Sequence, residues 1–178
     1  MHPDVKEILL NEEQIASRVA ELGAQISADY NGEEVIAVCA LNGAMPFTCD
    51  LVRKMDGNII LDSIGASSYG NSTKSSGEVK ITKELKQDVA GRHVLIIDDI
   101  FDSGLTLYRL VNLMNDRGAK SVKSCVFLEK QIEHAVDYRP DYIGYEIPDA
   151  FVIGYGLDYA EKYRQLPYIG IIKPEAVK

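Results

Sequence analysis

Residues 94–106 read Val-Leu-Ile-Ile-Asp-Asp-Ile-Phe-Asp-Ser-Gly-Leu-Thr, and they constrain the fold more than any other stretch of the chain. Val94 to Ile97 form an apolar run of the length of a fully buried strand. The run stops at two adjacent carboxylates, Asp98 and Asp99. Asp102 then opens a small-residue turn, Asp102-Ser103-Gly104, and a helical pattern follows at once. A strand that hands over directly to a helix puts its loop at the carboxyl end of a sheet, where open α/β sheets bind ligands. Backbone N–H groups of such a turn, with the first helical turn behind them, are directed toward an anion. Ser103 and Thr106 add hydroxyl donors. A phosphate cradle beside three carboxylates suits a ligand that carries phosphate, hydroxyls and a divalent metal.

The rest of the chain is consistent with one α/β domain spanning 1–178. Acidic residues outnumber basic ones, 27 to 19, and no Lys/Arg cluster interrupts the balance. The net charge of −8 argues against a nucleic-acid partner but not against phosphorylated small molecules, which need only a local cradle. No apolar stretch approaches the ~20 residues of a membrane span, and the first residues lack the basic and apolar regions of a signal peptide. Cys39, Cys49 and Cys125 lie in apolar surroundings without metal-type spacing and read as buried, reduced thiols, which points to the cytoplasm.

Asn11 followed by Gln14 forms a capping-box pattern, and Ile15, Val19, Leu22 and Ile26 repeat at helical spacing, so a helix is expected over 12–29. A buried strand is expected over 35–41 and a helix over 46–55, with Pro46 in its first turn. Strands follow over 59–67, 78–83 and 93–97, then a helix over 104–117 ended by Gly118. Further strands are expected over 121–128, 141–146, 151–155 and 168–172, with a short helix near 159–164. Strands alternating with helices predict a mostly parallel twisted sheet covered on both faces. The polar, Ser-rich segment over 68–77 reads as a flexible lid.

The pattern of four apolar residues, an acidic pair, two apolar residues and Asp-Ser-Gly-Leu-Thr resembles the signature of the type I phosphoribosyltransferases. Three more segments resemble their hypoxanthine and hypoxanthine-guanine branch. These are Ser67-Ser68-Tyr69-Gly70 through Val79, Phe127-Leu128-Glu129-Lys130, and Ile147 through Gly170, the last almost without interruption. The resemblance spans about 35–172 and implies the type I fold, with a base-binding hood over roughly 129–172 and the lid. It implies transfer of a 5-phosphoribosyl group from phosphoribosyl pyrophosphate to N9 of a 6-oxopurine, with Mg²⁺ neutralising the departing pyrophosphate.

Family roles then fall on matching residues. Asp98 and Asp99 match the acidic pair that binds ribose hydroxyls, directly or through a metal, and Asp158 matches the metal-contacting aspartate. Asp102 matches the general base or acid at purine N7, and residues 102–106, Leu105 included, match the 5′-phosphate loop. Arg164, Asn42 and Gly43 match positions near the pyrophosphate. For the base, Phe151 matches the stacking ring, Val152 pairs with the purine edge through its backbone, and Asp158 lies beside it. Lys130 has donors only, so it suits a 6-oxo group and disfavours a 6-amino group. Ser68 and Tyr69 belong to the lid that would exclude water from the reacting centre.

Two departures stand out. Asn42 occupies a position where many relatives carry Lys or Arg, next to a peptide that is often cis in the family, so Leu41–Asn42 is expected to be cis. Asp98 replaces the commoner Glu. The resemblance further implies a homodimer or homotetramer with the 42–44 region near an interface. A nucleotide-sensing regulator on the same fold, a xanthine-preferring transferase and a receiver domain are the competing readings. The acidic balance and the joint presence of Asp102, Lys130, Asp158 and Arg164 count against the regulator. The 147–170 segment has no place in a receiver domain.

Overall fold

The computed structural model describes residues 1–68 and 79–177. The elements in chain order are β1 (Val5–Leu10), α1 (Glu12–Tyr30), β2 (Val35–Leu41), α2 (Met45–Val52), β3 (Ile59–Ser68), β4 (Val79–Lys83), β5 (His93–Phe101), α3 (Leu105–Asp116), β6 (Ser121–Lys130), β7 (Tyr142–Ile147), β8 (Val152–Ile153) and β9 (Ile169–Ile172). A sheet of six strands runs in the order β4-β3-β2-β5-β6-β7. All of its pairs are parallel except the antiparallel β3–β4 edge. The mostly parallel sheet flanked by helices agrees with the sequence expectation.

The apolar runs are continuous because helices cover both faces of the sheet. In β5, Leu95 and Ile97 pack on the side of α1 and α2, with Leu22, Ile26, Phe47 and Leu51. Val94 and Ile96 point the other way, toward Leu107, Leu110 and Met114 of α3. Successive strand residues alternate between faces, so both sets of positions must be apolar. The capping box of α1 forms as expected, with Asn11 accepting from the Gln14 N–H and the Gln14 side chain accepting from the Asn11 N–H. Ile15, Val19, Leu22 and Ile26 are its buried stripe.

β1, β9 and β8 form a separate antiparallel sheet, the hood above the carboxyl ends of the main strands. The sequence reading has no counterpart to β1. Its exposure pattern, buried only at Val5 and Leu10, lacks the alternation that marks a half-buried strand. Pairing with β9, more than 150 residues away, makes it a strand.

Other boundaries move. β5 runs through the acidic pair to Phe101, because Ile100 and Phe101 still pair with Leu128 and Glu129 of β6. The strand expected over 151–155 is only Val152–Ile153, and the chain turns left-handed at Gly154, Tyr155 and Gly156. The short helix expected near 159–164 does not form. Ala160, Glu161 and Tyr163 have positive φ, which an L-residue helix cannot accommodate. Cys39 and Cys125 are buried, whereas Cys49 is exposed on α2, on the face turned from the core. The lid over 68–77, Tyr69 included, lies outside the described residues apart from Ser68 at the end of β3.

Candidate active site

Two adjoining cavities open where β5 and β6 end beneath the hood. The first, about 340 Å³, is lined by Gly43, Asp98, Asp99, Asp102, Ser103, Gly104, Thr106, Asp158 and Arg164, among others. The second, about 220 Å³, is lined by Asp99, Asp102, Lys130, Phe151, Val152 and Asp158, together with Ile100, Ala150 and Leu157. Asp99, Ile100, Asp102 and Asp158 belong to both, so the cavities share a wall. Thus, among the described residues, all of the expected site residues but two converge, leaving aside Ser68 and Tyr69 of the lid. Leu105 and Asn42 do not line either cavity. The backbone of Leu105 still contributes, donating its N–H to Ser103 Oγ at 3.4 Å. Asn42 is exposed, and the cavity meets its neighbours Leu41 and Gly43 instead. The Leu41–Asn42 peptide is cis, as expected.

The acidic pair forms the floor. The Asp99 N–H donates to Asp98 Oδ1 at 3.0 Å and the Ile100 N–H donates to Asp99 Oδ1 at 2.9 Å. Burial, then the neighbouring Asp99 charge, pushes the Asp98 carboxyl well above the usual carboxylate range. Burial raises Asp99 too, opposed by its hydrogen bonds and the Arg164 charge. Two carboxylates this close resist ionising together, and a cation or a set of hydroxyl donors relieves them. Close backbone approaches fix their place. A Cβ on Gly43 would run into the Asp99 carboxylate, and one on Gly156 would run into the Gly43 carbonyl.

The loop after β5 begins α3 at Gly104, whose φ of 81° a residue with a side chain would adopt only under strain. Phe101 and Val136 also fill the space a side chain would need there, at 2.6 and 2.8 Å from an added Cβ. Gly104 has no side chain to cap α3, so apart from the Leu105 N–H, which reaches Ser103 Oγ, the loop's first N–H groups are left for a ligand.

At the second cavity, Lys130 Nζ lies 2.9 Å from Asp102 Oδ2 and 3.4 Å from Asp149 Oδ1. The lysine stem is well buried while Asp102 is half exposed, so the ion pair sits at the mouth shared by the cavities. Phe151 is 49% exposed, which for so large an apolar ring on a cavity wall is an open stacking face. Tyr159 supports it edge-on, with ring centroids 5.6 Å apart. Val152 is buried beside it in β8.

Arg164 ties the 155–164 segment together. Its Nη1 donates to the Gly156 carbonyl at 2.8 Å, and its Nη2 pairs with Asp158 at 3.0 Å and Glu161 at 3.1 Å. Among the described residues no three His, Cys, Asp or Glu side chains converge closely enough to hold a metal by themselves. Asp98, Asp99 and Asp158 are oxygen donors on the cavity wall that could contact a Mg²⁺ ion only with substrate and water completing its coordination. The donor set fits that ion, being all oxygen and short of positive charge around Asp98.

The sequence reading missed four contributors. Asp149 competes for Lys130, Gly156 locks the 42–43 segment, and His134 and Glu129 buttress the phosphate loop from behind. Glu129, Asp149 and Gly156 lie inside the segments that carry the resemblance, yet their residue types there signal no role, and His134 lies in none of them; each acts through contacts between distant segments.

A parallel sheet with an acid pair and an anion loop at its carboxyl edge, covered by a small hood, defines a class of enzymes that handle a phosphorylated ribose. A family model described as a phosphoribosyl transferase domain matches residues 5–160, and the chain belongs to that family. It is 51% identical to the hypoxanthine-guanine phosphoribosyltransferase of Bacillus subtilis over 98% of this chain and 97% of that protein. Among solved structures, a hypoxanthine phosphoribosyltransferase from Staphylococcus aureus matches with a TM-score of 0.96 at 43% identity, covering 100% of this chain and 97% of that one. The hypoxanthine phosphoribosyl transferase of Trypanosoma cruzi matches at 0.94 and 35% identity, over 99% and 95% of the two chains.

Proposed function

We propose that this chain is a purine-salvage enzyme that transfers the 5-phosphoribosyl group of phosphoribosyl pyrophosphate to N9 of hypoxanthine, and of guanine, releasing pyrophosphate. The single observation that carries the reading is the shared wall. Asp102 lies between a cavity suited to phosphate and ribose and a smaller one bearing Lys130 and the Phe151 face. A ribosyl carbon and a purine nitrogen can meet only at such a junction.

The chemistry assigned to each group follows from its type. Breaking the C1–O bond builds positive charge on the ribose, as in glycosidic cleavage, while negative charge gathers on the pyrophosphate. The Asp98–Asp99 floor hydrogen-bonds ribose hydroxyls, and Ser103, Gly104 and Thr106 hold the 5′-phosphate. Arg164 presents a planar fork to phosphate oxygens once it exchanges its Asp158 or Glu161 contact. A bound Mg²⁺, with Asp158, Asp98 and Asp99 as the protein's contribution, would supply charge neutralisation at the pyrophosphate.

The purine lies against Phe151 and pairs with the Val152 backbone. Its 6-oxo group takes the Lys130 donor now given to Asp102. That exchange frees the Asp102 carboxylate to hold the proton at N7, so reading the base and preparing the proton acceptor become one event. A 6-amino group offers Lys130 another donor and leaves the exchange unmade. The lid, carrying Ser68 and Tyr69, would close over the junction and exclude water. The reading extends to a single domain working in the cytoplasm as a homodimer or homotetramer. No described helix is long and apolar enough to cross a membrane, and light scattering distinguishes the assemblies.

A spectrophotometric assay with phosphoribosyl pyrophosphate and Mg²⁺, comparing hypoxanthine, guanine, xanthine and adenine, tests the proposal. Turnover of hypoxanthine with adenine inert is expected. Xanthine as the best base would move the specificity, and silence with all four in folded protein would favour a nucleotide-sensing role.

A further inference from the structure

The segment between β6 and β7 packs behind the phosphate loop, and two of its groups hold consecutive carbonyls of that loop. His134 Nδ1 lies 2.6 Å from the Asp102 carbonyl oxygen, and the Ala135 N–H donates to the Ser103 carbonyl at 2.9 Å. A carbonyl can only accept, so the Nδ1 of His134 carries the hydrogen. The imidazole lies against Phe101, ring centroids 4.6 Å apart, and is mostly withdrawn from solvent. Its other nitrogen faces Glu129 Oε1 at 3.7 Å. Glu129 is buried, with Arg139 at 3.5 Å, and is the residue immediately before Lys130.

Planarity turns this buttress into a device for orienting donors. The Asp102–Ser103 and Ser103–Gly104 peptides are trans, so each N–H points opposite to its carbonyl. Carbonyls drawn back toward His134 and Ala135 send the Ser103 and Gly104 N–H groups forward, into the cavity that those residues line. We propose that His134 is a positioning residue that fixes the amides of the 5′-phosphate loop through its bond to the Asp102 carbonyl, with Glu129 holding the ring. The contact closes a circuit. Lys130 grips the Asp102 side chain on one side of the loop, while its neighbour Glu129 steadies the ring that grips the Asp102 backbone on the other. The inference rests on the phosphoribosyltransferase reading for the identity of the anion, a 5′-phosphate.

The test compares binding of inosine monophosphate with binding of inosine by calorimetry, because the ratio isolates the phosphate. In His134→Phe the ring stays against Phe101 but the donor is gone. The ratio is expected to fall about tenfold, the scale of one phosphate-orienting hydrogen bond, with inosine affinity changed less than about twofold. His134→Asn restores a donor near the place of Nδ1 and should recover the ratio to within about threefold. His134→Gln places its amide further out, where Nε2 was, and should not recover it. Should the Phe variant fail to fold, the Asn–Gln contrast carries the same question. An unchanged ratio in His134→Phe, or equal ratios in the Asn and Gln variants, overturns the proposal while wild-type preference for the phosphorylated ligand stands. Loss of that preference in the wild type overturns the phosphoribosyl reading itself.

Discussion

The two cavities are built in opposite ways. The phosphate side is centred on one continuous stretch, the end of β5, its loop and the start of α3, with Gly43, Asp158 and Arg164 closing it from elsewhere. Its side chains are constrained at Gly43, Gly104 and Gly156 and backed by His134. The base side shares Asp99, Ile100 and Asp102 with it but is otherwise gathered from three distant segments, at Lys130, at Ala150–Val152 and at Leu157–Asp158, and its Phe151 face stands open. A fixed cradle for the common phosphoribosyl part and an assembled, more open wall for the base suit an enzyme whose substrates share the first and vary in the second. The difference also shows where energy is stored. The floor holds two carboxyls raised by burial, Asp98 further by the Asp99 charge, an arrangement that stability alone would not favour.

The largest expected effect lies at the junction. Asp102→Ala should lower kcat by about 100-fold, the scale of a positioned proton acceptor, read in the spectrophotometric assay. A loss below about threefold would reduce Asp102 to the partner of Lys130 and blur the distinction between the cavities.

On the base side alone, Lys130→Gln should cut kcat/KM for hypoxanthine about 30-fold, as expected for losing a charged donor to a carbonyl. The KM for phosphoribosyl pyrophosphate should hardly move. Equal damage to both substrates would show that Lys130 acts chiefly by shaping the loop through Asp102.

On the phosphate side, Gly43→Ala would drive a methyl group into Asp99. An overpacking cost of about 1–3 kcal/mol, borne by the bound state, corresponds to a rise of about five- to 150-fold in the KM for phosphoribosyl pyrophosphate, with base KM spared. A neutral result would mean that the 42–43 backbone yields easily and that the floor is not a fixed cradle.

The smallest effect is on stability. A carboxyl whose pKa is raised on folding binds its proton more tightly in the folded state. Unliganded protein should therefore lose stability as pH rises from the ordinary carboxylate range through the raised folded value. Asp98→Asn should flatten that dependence and lift Tm at neutral pH by about 2–4 °C, while turnover falls. An unchanged melting curve between acid and neutral pH would remove the stored repulsion from the account.

Much of this site is legible in the amino-acid sequence. The strand–acid pair–loop–helix order of 94–106 is local, and its chemistry is carried by residues adjacent in sequence. Lys130, Phe151, Val152, Asp158 and Arg164 are legible only through resemblance, since a lone lysine after a strand and a lone phenylalanine ordinarily mean surface and core. The 159–164 segment misleads because its residue types suit a helix turn, whereas Arg164 and the hood hold it in left-handed conformations.

By itself the sequence determined the main sheet and the phosphate loop, because apolar runs, a capping box and a Gly turn act over a few residues. Tertiary structure decided the rest. It made β1 a strand through a partner across the whole chain, and it set Lys130 against Asp102. It left Cys49 outside and placed His134 behind a loop some thirty residues away. In each case the deciding contact joins segments whose separation along the chain carries no periodic or compositional signal, so only close packing in three dimensions could select it.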